Sequence, residues 1–376
     1  MSTPERPQRQ QRQQRQQRQQ RPVETGMRTR IRLVDVARAT NVSTASVSNA
    51  LSGARGVSPE TRARILETAA ALGFRPNQIA SSLRRGHSKV FGLIVPDVSN
   101  PFSSELATGV LRAAAAHDFG VFVSEINPGE PRGESLGFLL DHQVAGLVLS
   151  SLTDVDQSLL EHLLEHDIPV VQVIRRAVDG ATDFAGIDDR AAGRELVGHL
   201  VGLGHRNIMV AIGPLNSTAQ RDRLVGFREG LRDAGLDLAD ESVVVGELTR
   251  EGGVLAAESL CARSTTLPDA VLCGNDLMAI GVIDALIDRG LRVPEDIAVT
   301  GFDDMSLASS RLVGLTTVRV PRRRLGAAAI GALISRIQSP SSPLQTLLLP
   351  HTLMVRRTCG STTWHSSRRS THVSAG

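Results

Sequence analysis

From Val90 onward the chain alternates between short apolar runs and amphipathic stretches of 10–15 residues, and that rhythm leaves few folds open. Apolar runs predict strands at 90–95, 120–124, 146–150, 169–174, 184–187, 207–212, 242–246, 269–273 and 297–302. Strands that are apolar throughout, most followed by a helix-length segment, mark parallel βαβ units covered on both faces. No apolar run approaches the roughly 18 residues a membrane span requires, and the N-terminus lacks the apolar stretch of a secretory signal.

The sequence ahead of Val90 has a different character. Residues 8–21 are only Gln and Arg; with no apolar face to bury, a disordered tail over 1–29 is expected. Met27 stands just before the patterned sequence, so a translation start at Met27 is one expectation. Leu33, Val36 and Ala37 then recur at helical spacing, and Asn41-Val42-Ser43 breaks the pattern as a turn. Ser43 or Thr44 can cap a second short helix running to about Leu51, with Val47 as its inward anchor. Ser58-Pro59-Glu60 supplies a cap and a first-position proline for a third helix to about Leu72, its stripe formed by Ile65, Leu66, Ala69 and Ala70, and Gly73 ends it. Three short helices around one small core, the second after a tight turn, describe a helix-turn-helix unit over 30–76.

Charge divides the chain at the same place. Residues 1–89 carry 17 Lys+Arg against 5 Asp+Glu, a net +12, and residues 90–376 carry 25 against 34, a net −9. Without the Gln/Arg tract, residues 27–89 still hold 11 basic against 3 acidic residues, so the surplus lies in folded sequence and points to a polyanionic partner.

Several chemistries are excluded. Lys89 is the only lysine and follows no glycine-rich loop, which rules out P-loop and Schiff-base mechanisms. Cys261, Cys273 and Cys359 show neither CxxC spacing nor the density of a disulfide scaffold, which suits a reducing cytoplasm. His162-Leu163-Leu164-Glu165-His166 has the spacing of an inverted zinc-protease motif, but it is embedded in the stripe Leu159, Leu160, Leu163 and Leu164 of an ordinary βαβ helix. No catalytic residue, metal site or cofactor is expected.

The segment Leu33–Asn49 (LVDVARATNVSTASVSN) resembles the DNA-binding head of the LacI/GalR family of bacterial transcriptional repressors, and Arg75-Pro76-Asn77-Gln78-Ile79-Ala80-Ser81-Ser82-Leu83 resembles its hinge helix. Val98–Phe102, Leu203–Arg206, Arg223–Phe227, Cys273–Asp276, Gly301–Asp304, Leu315–Val318 and Arg356-Arg357 continue the resemblance in register over roughly residues 30–357. It implies an α-helical helix-turn-helix head and a two-lobed, periplasmic-binding-protein-like α/β core with parallel sheets. The hinge helix and linker fall at 77–88, the effector-binding and dimerisation domain at 89–357, and a flexible tail at 358–376. The partners implied are a near-palindromic operator in double-stranded DNA, a small effector of carbohydrate type between the lobes, and a second copy of the chain.

By the same resemblance Thr44, Ala45 and Asn49 read bases, where an Asn amide can pair with an adenine edge and a methyl group can meet a thymine methyl. Ser43, Ser46 and Ser48 are candidates for phosphate contacts, capping being the alternative for each. Asn77, Ala80 and Leu83 belong to the hinge, Leu83 as a minor-groove wedge. Asp97, Phe102, Arg223, Asn275 and Asp303 are the implied effector residues, with a structural Arg223–Asp303 ion pair as the alternative. Three positions depart from the family pattern: Leu248 replaces a frequent aromatic platform, Ile174 an acidic residue, and Ser217 the recognising arginine of purine repressors. A purine effector is thereby disfavoured, and a cleft that binds no ligand is the alternative.

Overall fold

The computed structural model describes residues 31–74, 88–126, 132–150, 152–177, 180–263 and 267–360. The chain divides into two compact units, the break falling between Arg85 and Gly86. The hinge candidates Asn77, Ala80 and Leu83, and the Gln/Arg tract with Met27, lie outside the described residues.

In the first unit α1 spans Leu33–Thr40, α2 Thr44–Ser52 and α3 Pro59–Ala71. The turn after α1 forms because Asn41 adopts the left-handed conformation, φ 53°, which Asn tolerates better than most residues, and Val42 N–H then bonds back to the Ala37 carbonyl at 3.1 Å. Ser43 caps α2, its Oγ accepting from Ser46 N–H at 3.0 Å, and Ser58 caps α3 in the same way from Thr61 N–H at 3.2 Å. Val36, Ala37, Val47, Ala50, Ile65 and Ala69 are buried at the centre. The stripe of α3 is narrower than expected. Ile65 and Ala69 are buried, but Leu66 and Ala70 face outward, since two short neighbouring helices cover only one side of α3.

The second unit contains two six-stranded sheets. The first lobe's sheet is built from β1 (Val90–Val95), β2 (Gly120–Glu125), β3 (Leu147–Leu149), β4 (Val170–Val173), β5 (Asp183–Gly186) and β11 (Thr346–Leu348), in spatial order β11-β5-β4-β3-β1-β2. The second lobe's sheet uses β6 (Ile208–Ile212), β7 (Val243–Val245), β8 (Ala270–Cys273), β9 (Ala298–Asp303), β10 (Thr316–Arg319) and β12 (Thr352–Met354), in order β12-β10-β9-β8-β6-β7. The chain therefore passes between the lobes three times: after β5, after β10 and after β11. All nine expected strands are present, and β10, β11 and β12 add three that the apolar runs did not mark. The sheets are parallel as expected, apart from the one antiparallel pair of β10 with the edge strand β12. A short return of the chain can add an antiparallel edge strand, whereas a parallel one would need another crossover.

Helices cover both faces. In the first lobe α4 (Pro101–Ala116) lies against α11 (Arg322–Gln338), with α5 (Arg132–Asp141) and α6 (Gln157–Glu165) also flanking the sheet. In the second, α7 (Asp189–Gly202) packs on α8 (Thr218–Asp233) and α9 (Arg250–Arg263) on α10 (Asp276–Asp288). The α4–α11 approach depends on two glycines. A Cβ at Gly109 would collide with the Arg323 carbonyl, and one at Gly326 would fall 2.5 Å from the Leu106 carbonyl. The packed sequence runs past the expected domain end at 357, because Thr358 and Cys359 are buried, Thr358 Oγ1 accepting from Thr316 N–H at 2.9 Å. Among the described residues no helix is long and apolar enough to cross a membrane.

Candidate nucleic-acid interface and ligand cleft

Helix α2 is pinned by Val47 and Ala50, and its opposite side carries the candidate base readers. Thr44 and Ala45 are exposed in its first turn. Asn49 is half-exposed, and among the described residues its side-chain amide has no hydrogen-bond partner. Its donor and acceptor are thus available to a base edge. Ser43 and Ser46 are occupied with each other, Oγ to Oγ at 2.9 Å, in addition to the cap, while Ser48 is half-buried. The capping alternative therefore describes Ser43 within this unit, although its exposed hydroxyl can still meet a phosphate.

In the second unit a cleft opens between the lobes at the carboxyl ends of both sheets. Each sheet runs in the order 2-1-3-4-5 extended by one edge strand, with a topological switch between its first and third strands, where open α/β sheets place ligands. Pro96 follows β1 and Ser150 follows β3 on one side, and Asn275 follows β8 on the other. Of the candidates, Phe102, Arg223, Asn275 and Asp303 line this cleft, together with Ile174, Arg175, Gln220 and Leu248. Asp97 does not. Its carboxylate accepts from Ser99 N–H at 2.7 Å and shapes the turn before α4. Ser217 is buried at the start of α8, away from the cleft lining, with an unpartnered hydroxyl.

Arg223 is the best-fixed side chain of the site. Its Nε donates to Asp189 Oδ1 at 2.8 Å and its Nη1 to the Gly274 carbonyl at 2.6 Å, and its guanidinium lies 3.7 Å from the centre of the Phe302 ring. Asp303 is 3.9 Å away, so the tight ion pair is made with Asp189 and not with Asp303. Asp303 closes β9 and itself has φ 116°, an unusual conformation for a residue other than glycine, and it lies in the cleft lining. Burial pushes its pKa up to about 6, with Arg223 and Arg322 acting in the opposite direction. Asn275 caps α10, its Oδ1 accepting from Met278 N–H at 2.8 Å, and its Nδ2 donates to the Leu248 carbonyl at 3.0 Å. One N–H of that amide is left for a ligand.

On the facing lobe β4 ends in a tight three-residue turn in which Arg175 N–H bonds to the Val173 carbonyl at 2.8 Å. Ile174 at its centre has φ 69°, a strained value for a β-branched residue. The turn presents Arg175 to the cleft, where its guanidinium has no hydrogen-bond partner among the described residues. Such strain collects at functional sites. Arg175, Gln220 and Asp189 were not among the candidates. Arg175 was signalled by its place directly after a strand, but Asp189 and Gln220 act through Arg223 and Gly213, contacts that no local pattern announces.

The lobes also meet beside the cleft. Asp154 of the first lobe forms a two-pronged ion pair with Arg221 of α8 and donates its backbone N–H to the Asn216 carbonyl at 3.1 Å, while Arg176 N–H donates to Thr218 Oγ1 at 3.0 Å. The cleft itself encloses only about 60 Å³. Small-molecule pockets run to roughly 300 Å³ and above, so this volume admits a few waters and no sugar until the lobes part. His162 on α6 and His166 just past its end are both exposed, and His166 Nδ1 lies 2.8 Å from the His162 carbonyl. Among the described residues no group of three or more metal-ligating side chains converges.

Two lobes of matching topology closing on a polar cleft, in a chain that begins with a helix-turn-helix, define a ligand-binding regulator of the periplasmic-binding-protein type. Residues 32–77 match the model of bacterial regulatory proteins of the lacI family, and residues 197–359 that of the periplasmic binding protein-like domain. The ribose operon repressor of Escherichia coli K12 is 35% identical over 86% of this chain and 98% of its own length. Catabolite control protein A of Priestia megaterium is 32% identical over 87% and 98%. The crystal structure of the lac repressor dimer bound to operator and an anti-inducer superposes with a TM-score of 0.78 at 28% identity, covering 88% of this chain and 99% of that one. The chain belongs to the lacI family of bacterial regulatory proteins, whose members here are regulators and not enzymes.

Proposed function

We propose that the chain is a cytoplasmic, homodimeric transcriptional repressor that binds a near-palindromic operator and is controlled by a small polyhydroxylated effector. Thr44, Ala45 and Asn49 read bases, Ser43, Ser46 and Ser48 approach phosphates, and Asn77, Ala80 and Leu83 form the hinge between a head ending near 76 and a core beginning near 89. The effector occupies the cleft against Phe102, Arg223, Asn275 and Asp303, with Arg175 added from the opposite wall. Asp97 acts there only through the turn it shapes. The lac repressor's complex with operator and the name of the ribose operon repressor support the reading.

The observation that carries it is the pairing of the uncommitted Arg175 and the held Arg223 with Asp303 across one cleft, since forked guanidinium and carboxylate groups suit vicinal hydroxyls. Leu248, Ile174 and Phe102 give the same cleft an apolar side, which favours a sugar with an unsubstituted or aryl-bearing edge over a uniformly polar one. An effector that prefers one degree of lobe closure shifts operator affinity by its difference in affinity for the two states. The test is to map genomic binding sites, then footprint the best site with and without a panel of pentoses, hexoses and their glycosides. Protection released or strengthened by one of them is the expected result. Footprints that no sugar changes, with no sugar raising the melting temperature, would reject effector control; no protected site at moderate salt would reject the whole reading.

A further inference from the structure

A second concavity, of about 340 Å³, lies where the chain leaves β10 and enters α11. Five arginines line it, Arg319, Arg322, Arg323, Arg324 and Arg356, against the carboxylates of Glu105 and Asp304. Each carboxylate is already shared. Asp304 accepts from Arg319 at 2.6 Å and Arg356 at 2.5 Å, and Glu105 accepts from Arg322 at 3.2 Å and faces Arg323 at 3.6 Å. Arg324 has no acidic partner among the described residues, and the buried Arg322 has an Nε with no acceptor.

The placement of these charges is itself unfavourable. Arg322, Arg323 and Arg324 occupy the first turn of α11, which has no acidic residue and no side-chain cap. Cations there oppose the positive end of the helix dipole and repel one another. Arg322 is compensated by its bonds to Glu105 and to two backbone carbonyls, but Arg324 is not, and a local rule broken without such compensation is where a ligand can supply the missing negative charge. Planar guanidinium forks converging on a concavity of small-ligand size match a phosphate group.

We infer that this concavity is a second ligand site, separate from the cleft, for a small phosphorylated metabolite. It is built from both lobes, with Glu105 on α4 and Asp304, Arg319 and Arg356 on the second lobe. Arg322 ties them, donating to Glu105 and to the carbonyls of Asp303 and Asp304. Occupancy that draws Arg322 or Arg323 away from Glu105 changes this tie and reaches Asp303 in the cleft, so the two ligands are coupled.

Isothermal titration of the full chain with glycerol 3-phosphate, ribose 5-phosphate, inorganic phosphate, glycerol and ribose tests the inference in chloride buffer at moderate salt. At least one ester is expected to bind tenfold or more tighter than inorganic phosphate and than its parent polyol. The Arg323→Gln/Arg324→Gln variant should lose that binding at least tenfold while keeping the wild-type melting temperature and operator affinity. Equal ester binding by the variant would place the ligand elsewhere and overturn the site. Ester binding no tighter than inorganic phosphate would indicate an adventitious ion only, and no ester binding at 10-millimolar order would likewise overturn it. A ribose response that persists in the variant separates failure of this site from failure of the cleft.

Discussion

Asp303 is where burial and function pull in opposite directions. Its carboxyl binds a proton more tightly in the folded protein, with a pKa near 6, than in the unfolded chain, where about 3.9 is usual. Stability therefore falls as pH rises from about 4 to about 6, and the full penalty, on the order of 3 kcal/mol, is present above that range. Asp303→Asn is expected to be more stable than wild type in urea unfolding at pH 7.5, with the gap closing by about pH 4, and to lose its sugar response. A pH-independent gap would refute the burial account. Asn49 is a simpler case. With its amide uncommitted, Asn49→Ala should weaken operator binding by about 1–3 kcal/mol in a gel-shift titration and leave nonspecific binding nearly unchanged. Phe102, Asn275 and Asp303, which the resemblance implied through short motifs, do line the cleft. The partner of Arg223 was not legible in the sequence, since Asp189 lies 34 residues away and is brought to it by the packing of α7 on α8.

Short helices around a core of six buried apolar residues leave the first unit little margin, so its caps carry weight. Ser43→Ala should cost roughly 0.5–2 kcal/mol, read as faster amide exchange across Thr44–Ser52 and weaker operator binding together. In the second unit the sensitive element pair is α4 and α11. Gly109→Leu forces a side chain into the Arg323 backbone and should lower stability by at least about 1–3 kcal/mol in thermal unfolding, whereas the exposed Leu111→Ala should change little. Seven of the nine expected strands were readable because burial on both faces writes a continuous apolar run, and the edge strands β2 and β7, though partly exposed, still carry mostly apolar residues. β11 and β12 are edge strands of three residues with half-exposed side chains, and two of the four residues of β10 are threonines, so none of the three produced such a run.

Across the two lobes the closed cleft and its flanking contacts form one device. The Arg221–Asp154 pair is largely exposed and contributes little to folding, but it acts only when the lobes are together. Arg221→Ala should shift the population toward open forms, seen as a larger radius of gyration in solution scattering without ligand and a smaller difference once sugar is added. Rhythm marked the parallel βαβ units, counting marked the charge division, and the two lobes were implied by the family resemblance, but which lobe contacts hold the cleft shut was invisible to all three, because they depend on three-dimensional closure. Thr346–Leu348 and Thr352–Met354 stand only three residues apart, yet each finishes a different sheet. A premature stop codon between Ser339 and Gln345 would thus uncover β5 and β10 at once, and the shortened product should self-associate through either newly bared strand.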